Sequence, residues 1–442
     1  MADNFDIKRF AKLEAETPRT GPKWLAGLRA SARDGLIRHG FPTTRTEGWR
    51  FTRLRPLLSR DFCLEKQYHP NGLSTADVAG LTFDDTDCRR LVLVSGNPAQ
   101  GLSAVGRLPE GVHVESLAEA LRSRPALVRK YLARHACPEK NPFVALNTAH
   151  MLDGAFVHIP EGITLEEPIH LLCVSASRDG STMSHPRNLI VAEAGSRATI
   201  IESYVAPGDD IYYTNPVTEI IVGQGAAVDH YKLQKESPAS YHTATLQAHL
   251  DRGSCFHTDF LSSGGELVRN DVNTYLDGEG IECTLNGLYV ARGHQHVDNN
   301  TNIDHAMPNC NSYELYKGIL TDRARAVFNG KIHVHPDAQK TDAKQSNGCM
   351  LLSDDAQINT NPQLEIYADD VKCTHGAVVG QIDDNAVFYL RSRGIDEVSA
   401  RNMLIHAFAG EVIEQVKVAP LRERLAGDLK TWLAGAITAG DA

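Results

Sequence analysis

The sequence predicts a mainly β chain. Its core, residues 151–393, is expected to be a solenoid of stacked β-coils, between a mostly helical N-terminal region, 1–150, and a short helical C-terminal region, 394–442. Three observations carry that expectation. From about Gly154 helical periodicity fades, and short alternating strands appear between small or glycine-containing turns. Six segments then look alike: EAGSRATIIESYV (193–205), GQGAAVDHYKLQ (223–234), DRGSCFHTDFL (251–261), GEGIECTLNGLYV (278–290), DRARAVFNGKIHV (322–334) and DDAQINTNPQLEIY (354–367). With Gly195, Gly225, Gly253, Gly280, Ala324 and Ala356 as equivalent points, the intervals are 30, 28, 27, 44 and 32 residues, a loose repeat of solenoid length. Finally, no unit contains a helix long enough to cover a sheet face, which favours β-coils that cover one another. An immunoglobulin-like or jelly-roll sandwich is the alternative that this pattern leaves open.

Local punctuation places the flanking elements. Apolar positions recur at helical spacing through residues 5–39, with Pro22 near the start of a second helix and Gly40 just beyond its end. LVLVSG (91–96) reads as a short strand, and Ser116–Leu121 and Pro125–His135 read as helices. After Gly394, Asp396 is placed to cap a helix ending near Lys417, with Val398, Met403, Leu404, Phe408, Val412 and Val416 as its apolar face. Pro420 breaks that helix and opens a last one ending near Ala434, with Gly435 as its stop. The simplest role for this amphipathic piece is to cover the end of the solenoid, because open β edges need capping.

Composition excludes several classes of function. At 442 residues, with 42% hydrophobic and 23% charged, the chain reads as globular with two or three structural regions. A formal net charge of -10 and the lack of any Lys/Arg run argue against a nucleic-acid partner. MADNFDIKRF has no apolar run of signal-peptide length, and no later window offers a membrane span, so a cytoplasmic location is expected. Nine scattered cysteines with no Cys-x-x-Cys pair fit neither a disulfide framework nor a zinc ribbon.

The chemistry concentrates in DVKCTHGAVVGQIDDNAVFYLRSRGI, 370–395, which sets Cys373 two residues before His375 on a predicted strand. Alternation puts both side chains on one face, about 7 Å apart along the backbone. A thiol beside an imidazole suits iron or another transition metal, yet two ligands are half of a usual cluster set. The pairs His294/His296 and His333/His335 have the same spacing and a weaker claim to metal, since nothing in the nearby sequence completes a motif. Asp369/Asp370 and Asp383/Asp384 invite a β-helix carbohydrate enzyme, but adjacent strand residues point to opposite faces, and turn chemistry is the better reading. Asn329-Gly330-Lys331-Ile332 is no phosphate loop: position 325 is Arg, and Ile332 stands where Ser or Thr would hold Mg²⁺. No nucleophile elbow or dinucleotide fingerprint occurs either, so this chain is expected to bind no nucleotide and not to be an ATPase.

That stretch resembles the SufB/SufD family of iron–sulfur cluster assembly proteins. So do FNGKIHVHPDAQKTDAKQSN (328–347), LLSDDAQINTNPQLEIYADD (351–370), NPFVALNTAHMLDGAFVHIP (141–160) and EGWRFTRLRPL (47–57). The likeness runs from about Glu47 to about Val412, and length and the Glu-x-Trp-Arg-Phe-Thr segment resemble the shorter, SufD side of the family. Thr374 departs from the Ser more usual there but keeps the hydroxyl. The resemblance implies the β-helix and a non-catalytic scaffold paired with a SufB-like chain. A transient iron–sulfur cluster would be assembled at their interface, with His375 as a candidate ligand and Cys373 as a weaker one. It further implies that a SufC-like ABC ATPase docks on the C-terminal helices, where Val398, Met403, Leu404, Phe408 and Val412 are candidates. Sulfur would arrive through the SufB-like chain, and the complex would bind reduced flavin, for which no residue here can be assigned. A homodimer in isolation is compatible with this scheme. The rival within the family is a SufB-like scaffold that holds the nascent cluster alone.

Overall fold

A computed structural model describes residues 21–65, 73–83, 87–176 and 181–439; the helical pattern at 5–20 lies outside them. Two facing parallel sheets form the core, wound as about eight coils with one strand of each coil in each sheet. The first sheet runs through Ala155–Ile159, Arg187–Ala192, Val217–Val222, Tyr241–Leu250, Leu267–Leu276, His296–His305, Arg325–Val334 and Gln357–Ile366. The second runs through Arg89–Val94, Ile169–Val174, Arg197–Val205, Ala227–Lys235, Cys255–Ser263, Glu282–Ala291, Asn311–Leu320, Asp342–Leu351 and Lys372–Gly380. LVLV of the N-terminal region is therefore a solenoid strand. Alternate residues such as Ile190, Ile220, Leu246, Val272, Ile303 and Ile332 fill the space between the sheets, which is why the strands read as alternating.

The coil spacing is more regular than the sequence repeat. Gly195, Gly225, Gly253 and Gly280 each turn the chain with positive φ two residues before a strand of the second sheet. The next two such positions are Asn309 (φ 60°) and Lys340 (φ 63°). Ala324 and Ala356 instead precede strands of the first sheet, so the 44-residue interval spans a coil and a half. The glycine signal fades there because Asn tolerates the left-handed conformation and Lys340 is held in it, its N–H donating to the Asp370 carbonyl.

The N-terminal end of the solenoid is closed. His113–Ser116 pairs antiparallel with Ala155–Ile159, and Asn97–Pro98 pairs antiparallel with Arg89–Val94. The Glu-x-Trp-Arg-Phe-Thr segment clamps the outer face of the first sheet. Trp49 is buried, stacks on Phe143 at 5.2 Å and carries the Arg269 guanidinium 3.7 Å above its ring. Arg269 pairs with Asp271 and Asp298, and the Thr52 hydroxyl also donates to Asp298.

The C-terminal helices do not cap the far end, contrary to the expectation from edge protection. The helix Glu397–Ile413 lies along the outer face of the second sheet. There Ala400, Ile405, Ala409, Val412 and Ile413 pack with Leu261, Leu288, Val290, Leu315 and Ile319. Asp396 caps it by accepting from the Ser399 amide at 2.9 Å. Helix structure begins earlier than the periodicity indicates: Asp383 caps a further helix, Asp384–Ser392. The last helix, Ala419–Ala439, continues through Gly435, which is therefore no stop.

Candidate functional site

Lys372–Gly380 is the last strand of the second sheet, in parallel register with Asp342–Met350. Cys373 lies beside Ala343, His375 beside Gln345, Ala377 beside Asn347 and Val379 beside Cys349. These partners are the inward-facing row, so Cys373 and His375 share the inner face, as alternation predicts. They differ in exposure. Cys373 is half-buried against the solenoid core, and burial raises its thiol pKa, with Asp342 adding to the rise. His375 is exposed, because among the described residues no further coil lies above it. A thiol held protonated binds metal only when the metal displaces its proton, whereas the neighbouring imidazole is open to a partner.

The column beneath His375 changes character along the solenoid. In register it runs Ile169, Ile200, His230, Thr258, Leu285, Glu314, Gln345, His375. Glu314 is buried, accepts from Gln345 Nε2 at 2.7 Å, and burial pushes its carboxyl up to about 7 against the pull of Thr301 and Gln345. Asn347, also buried and beside Ala377, makes no side-chain hydrogen bond among the described residues. Further in, Lys232 donates to His242 Nε2 at 2.9 Å and to Asn270 Oδ1 at 2.7 Å. Burial pushes this ammonium down to about 7, opposed by Glu202 and Glu236. Sequence reasoning missed this interior polar series. The available signal was parity: Glu202, Lys232 and Glu314 occupy the inward positions of alternating strands.

At the open end the last coil also exposes Ile366, Tyr367, Val378 and Val379. Among the described residues no strand pairs with the outer side of Gln357–Ile366 or of Lys372–Gly380. The helical candidates divide. Val412 is fully buried on the solenoid, and Leu404 and Phe408 pack there too, the Phe408 carbonyl accepting from Lys317 Nζ at 3.0 Å. Val398 and Met403 are exposed.

The two His-x-His pairs part in the same way. His294 is in a turn and His296 begins a strand, with its Nε2 at 2.8 Å from the Thr52 hydroxyl, so that pair does not form one face. His333 and His335 come together, ring centroids 4.6 Å apart. Asp369 and Asp370 lie in the bend before the last strand. No helix among the described residues is long and apolar enough to cross a membrane.

Residues 173–408 match the family described as SUF system FeS cluster assembly, SufBD core domain, and residues 7–171 match the SufBD protein N-terminal region. The chain therefore belongs to the SufBD family of iron–sulfur cluster assembly proteins. Within that family it is a homologue of SufD. It is 34% identical to the iron–sulfur cluster assembly protein SufD of Escherichia coli (strain K12), over 96% of this chain and 95% of the relative. SufD of Bacillus subtilis (strain 168) is 27% identical over 95% of each chain. An iron–sulfur cluster assembly SufBD family protein of Synechocystis sp. is 34% identical over 94% of this chain and 92% of the relative.

Proposed function

We propose that this chain is a non-catalytic scaffold subunit that pairs through the open end of its solenoid with a homologous SufB-like chain, and that His375 supplies a ligand to an iron–sulfur cluster assembled between them. The observation that carries this reading is an exposed imidazole on the inner face of a terminal strand whose outer edge pairs with no strand among the described residues, on a last coil that also exposes Ile366, Tyr367, Val378 and Val379. Unpaired edges and contiguous apolar surface are what a partner chain covers. One imidazole and one protonated thiol leave at least two coordination positions for the partner to fill, and a cluster shared by two movable chains is easier to release. Cys373 is the weaker candidate because it packs into its own core.

In the same reading, residues 394–442 dock a SufC-like ABC ATPase, with Val398 and Met403 on the outward side of a helix whose inner face is fixed by Leu404, Phe408 and Val412. ATP-driven movement of that helix pair would shift the two scaffolds against each other and admit iron and sulfur, a population shift between two interface arrangements. Sulfur reaches the site from the SufB-like side, and any reduced flavin binds at the level of the complex. All nine cysteines are free thiols, which fits a reducing cytoplasm. The SufB-like alternative, a chain holding a cluster alone, is less well supported, since Cys373 is the one cysteine on the last coil and it is half-buried.

His375→Ala tests the assignment. Reconstituted with the homologous scaffold and the ATPase, the variant should lose most of its cluster, read by the visible absorbance of the complex, while ATPase capture stays at the wild-type level. Full cluster formation by the variant removes His375 from the mechanism.

A further inference from the structure

We infer a second, separate metal site on the outer face of the first sheet, built from Asp304, His333 and His335 and suited to a divalent first-row transition ion. The solenoid itself assembles it. Asp304, His333 and Glu365 occupy one rung of three successive in-register strands, so the parallel repeat stacks carboxylate, imidazole and carboxylate about 4.8 Å apart. His335 lies two residues beyond His333, its ring against the same imidazole at 4.6 Å. One donor atom each from Asp304, His333 and His335 lies within 4.8 Å of the others.

The hydrogen bonds prepare these groups for coordination. Glu365 Oε2 is 3.0 Å from His333 Nδ1 and 2.7 Å from Lys331 Nζ. A carboxylate on one ring nitrogen fixes the tautomer and leaves the other, Nε2, as the coordinating atom, the arrangement that metal-bound histidines use. Lys331 meanwhile balances the charge of Glu365, so Glu365 orients His333 and Asp304 is the anionic ligand. His335 Nε2 lies 2.7 Å from Asp304 Oδ1, and an entering ion replaces the shared proton there. Such an ion bonds nitrogen and oxygen at about 2.0–2.2 Å, so small side-chain rotations close the triangle. Two imidazoles and one carboxylate with open positions suit ferrous iron and zinc, whereas calcium and magnesium require mostly oxygen. All three ligands are partly exposed, so an ion can enter from solvent.

The site stands apart from the reading of His375 and is tested on the isolated full-length chain. Anaerobic titration calorimetry with ferrous iron, and separately with zinc, should show one ion bound per chain in at least one arm. Asp304→Asn, and the double variant His333→Ala/His335→Ala, should each weaken that binding at least 10-fold, with the melting temperature checked for each. His39→Ala, at an exposed histidine outside both sites, should bind as wild type does. Absence of any ion at 100 µM ferrous iron or zinc, binding of calcium alone, or full retention of the ion by the folded double variant overturns the assignment.

Discussion

At the N-terminal end of the solenoid both sheets are finished by short antiparallel strands and the first coils are filled with apolar side chains. At the C-terminal end Gln357–Ile366 and Lys372–Gly380 stop with one side of each backbone unpaired among the described residues. A parallel ladder has no internal reason to end, because each coil offers the next an identical row of donors and acceptors. One end is therefore capped by the chain itself, and at the other the ladder edge, the exposed apolar residues and the imidazole are uncovered among the described residues.

The largest effect that can break this comparison is on stability. Phe156, fully buried in the first coils, should cost about 3–5 kcal/mol when replaced by Ala, whereas Val378→Ala on the last strand should change stability by less than about 0.5 kcal/mol. Urea unfolding of the isolated chain measures both. A large loss for Val378→Ala would mean that the last coil is already covered.

Ala377→Pro sharpens the same contrast at the backbone. Lys372 donates its amide to the Thr341 carbonyl, so in a parallel strand the amides of Cys373, His375 and Ala377 face the free side. Proline at 377 deletes an outward donor and no ladder bond. Affinity for the homologous scaffold should fall about 10–100-fold, or about 1.4–2.7 kcal/mol, while the melting temperature of the isolated chain barely moves. Unchanged affinity in a surface-binding assay would show that this edge is not the contact.

Much of this was legible in the sequence, for physical reasons. Period-two alternation revealed strands, glycine revealed turns, and Cys373 and His375 share a face because alternation leaves no other choice. The coil register was misread at Ala324 and Ala356 because Asn309 and Lys340 adopt a turn conformation that usually signals glycine. The open end was not legible: an amphipathic helix announces that it packs, and only the fold shows that Glu397–Ile413 packs on a sheet face rather than across the end. The triangle of Asp304, His333 and His335 joins residues from two coils, so only the strand register brings the carboxylate to the histidine pair.

The smallest expected effect concerns the polar column that leads to His375. Burial raises the Glu314 carboxyl to about 7, above the 4.5 of a solvated glutamate, so its contribution to stability is fully present below about pH 4.5 and is lost as pH rises through about 7. Glu314→Gln removes that slope while keeping shape and one donor–acceptor pair. The variant should match wild type near pH 4.5 and be more stable by about 1–2 kcal/mol at pH 8, the gain opening between those values. Urea titrations at the two pH values measure it. An equal difference at both would mean that Glu314 stays in one charge state throughout, and the interior behind the open end would then be no more strained than the apolar column at Ile169 and Ile200.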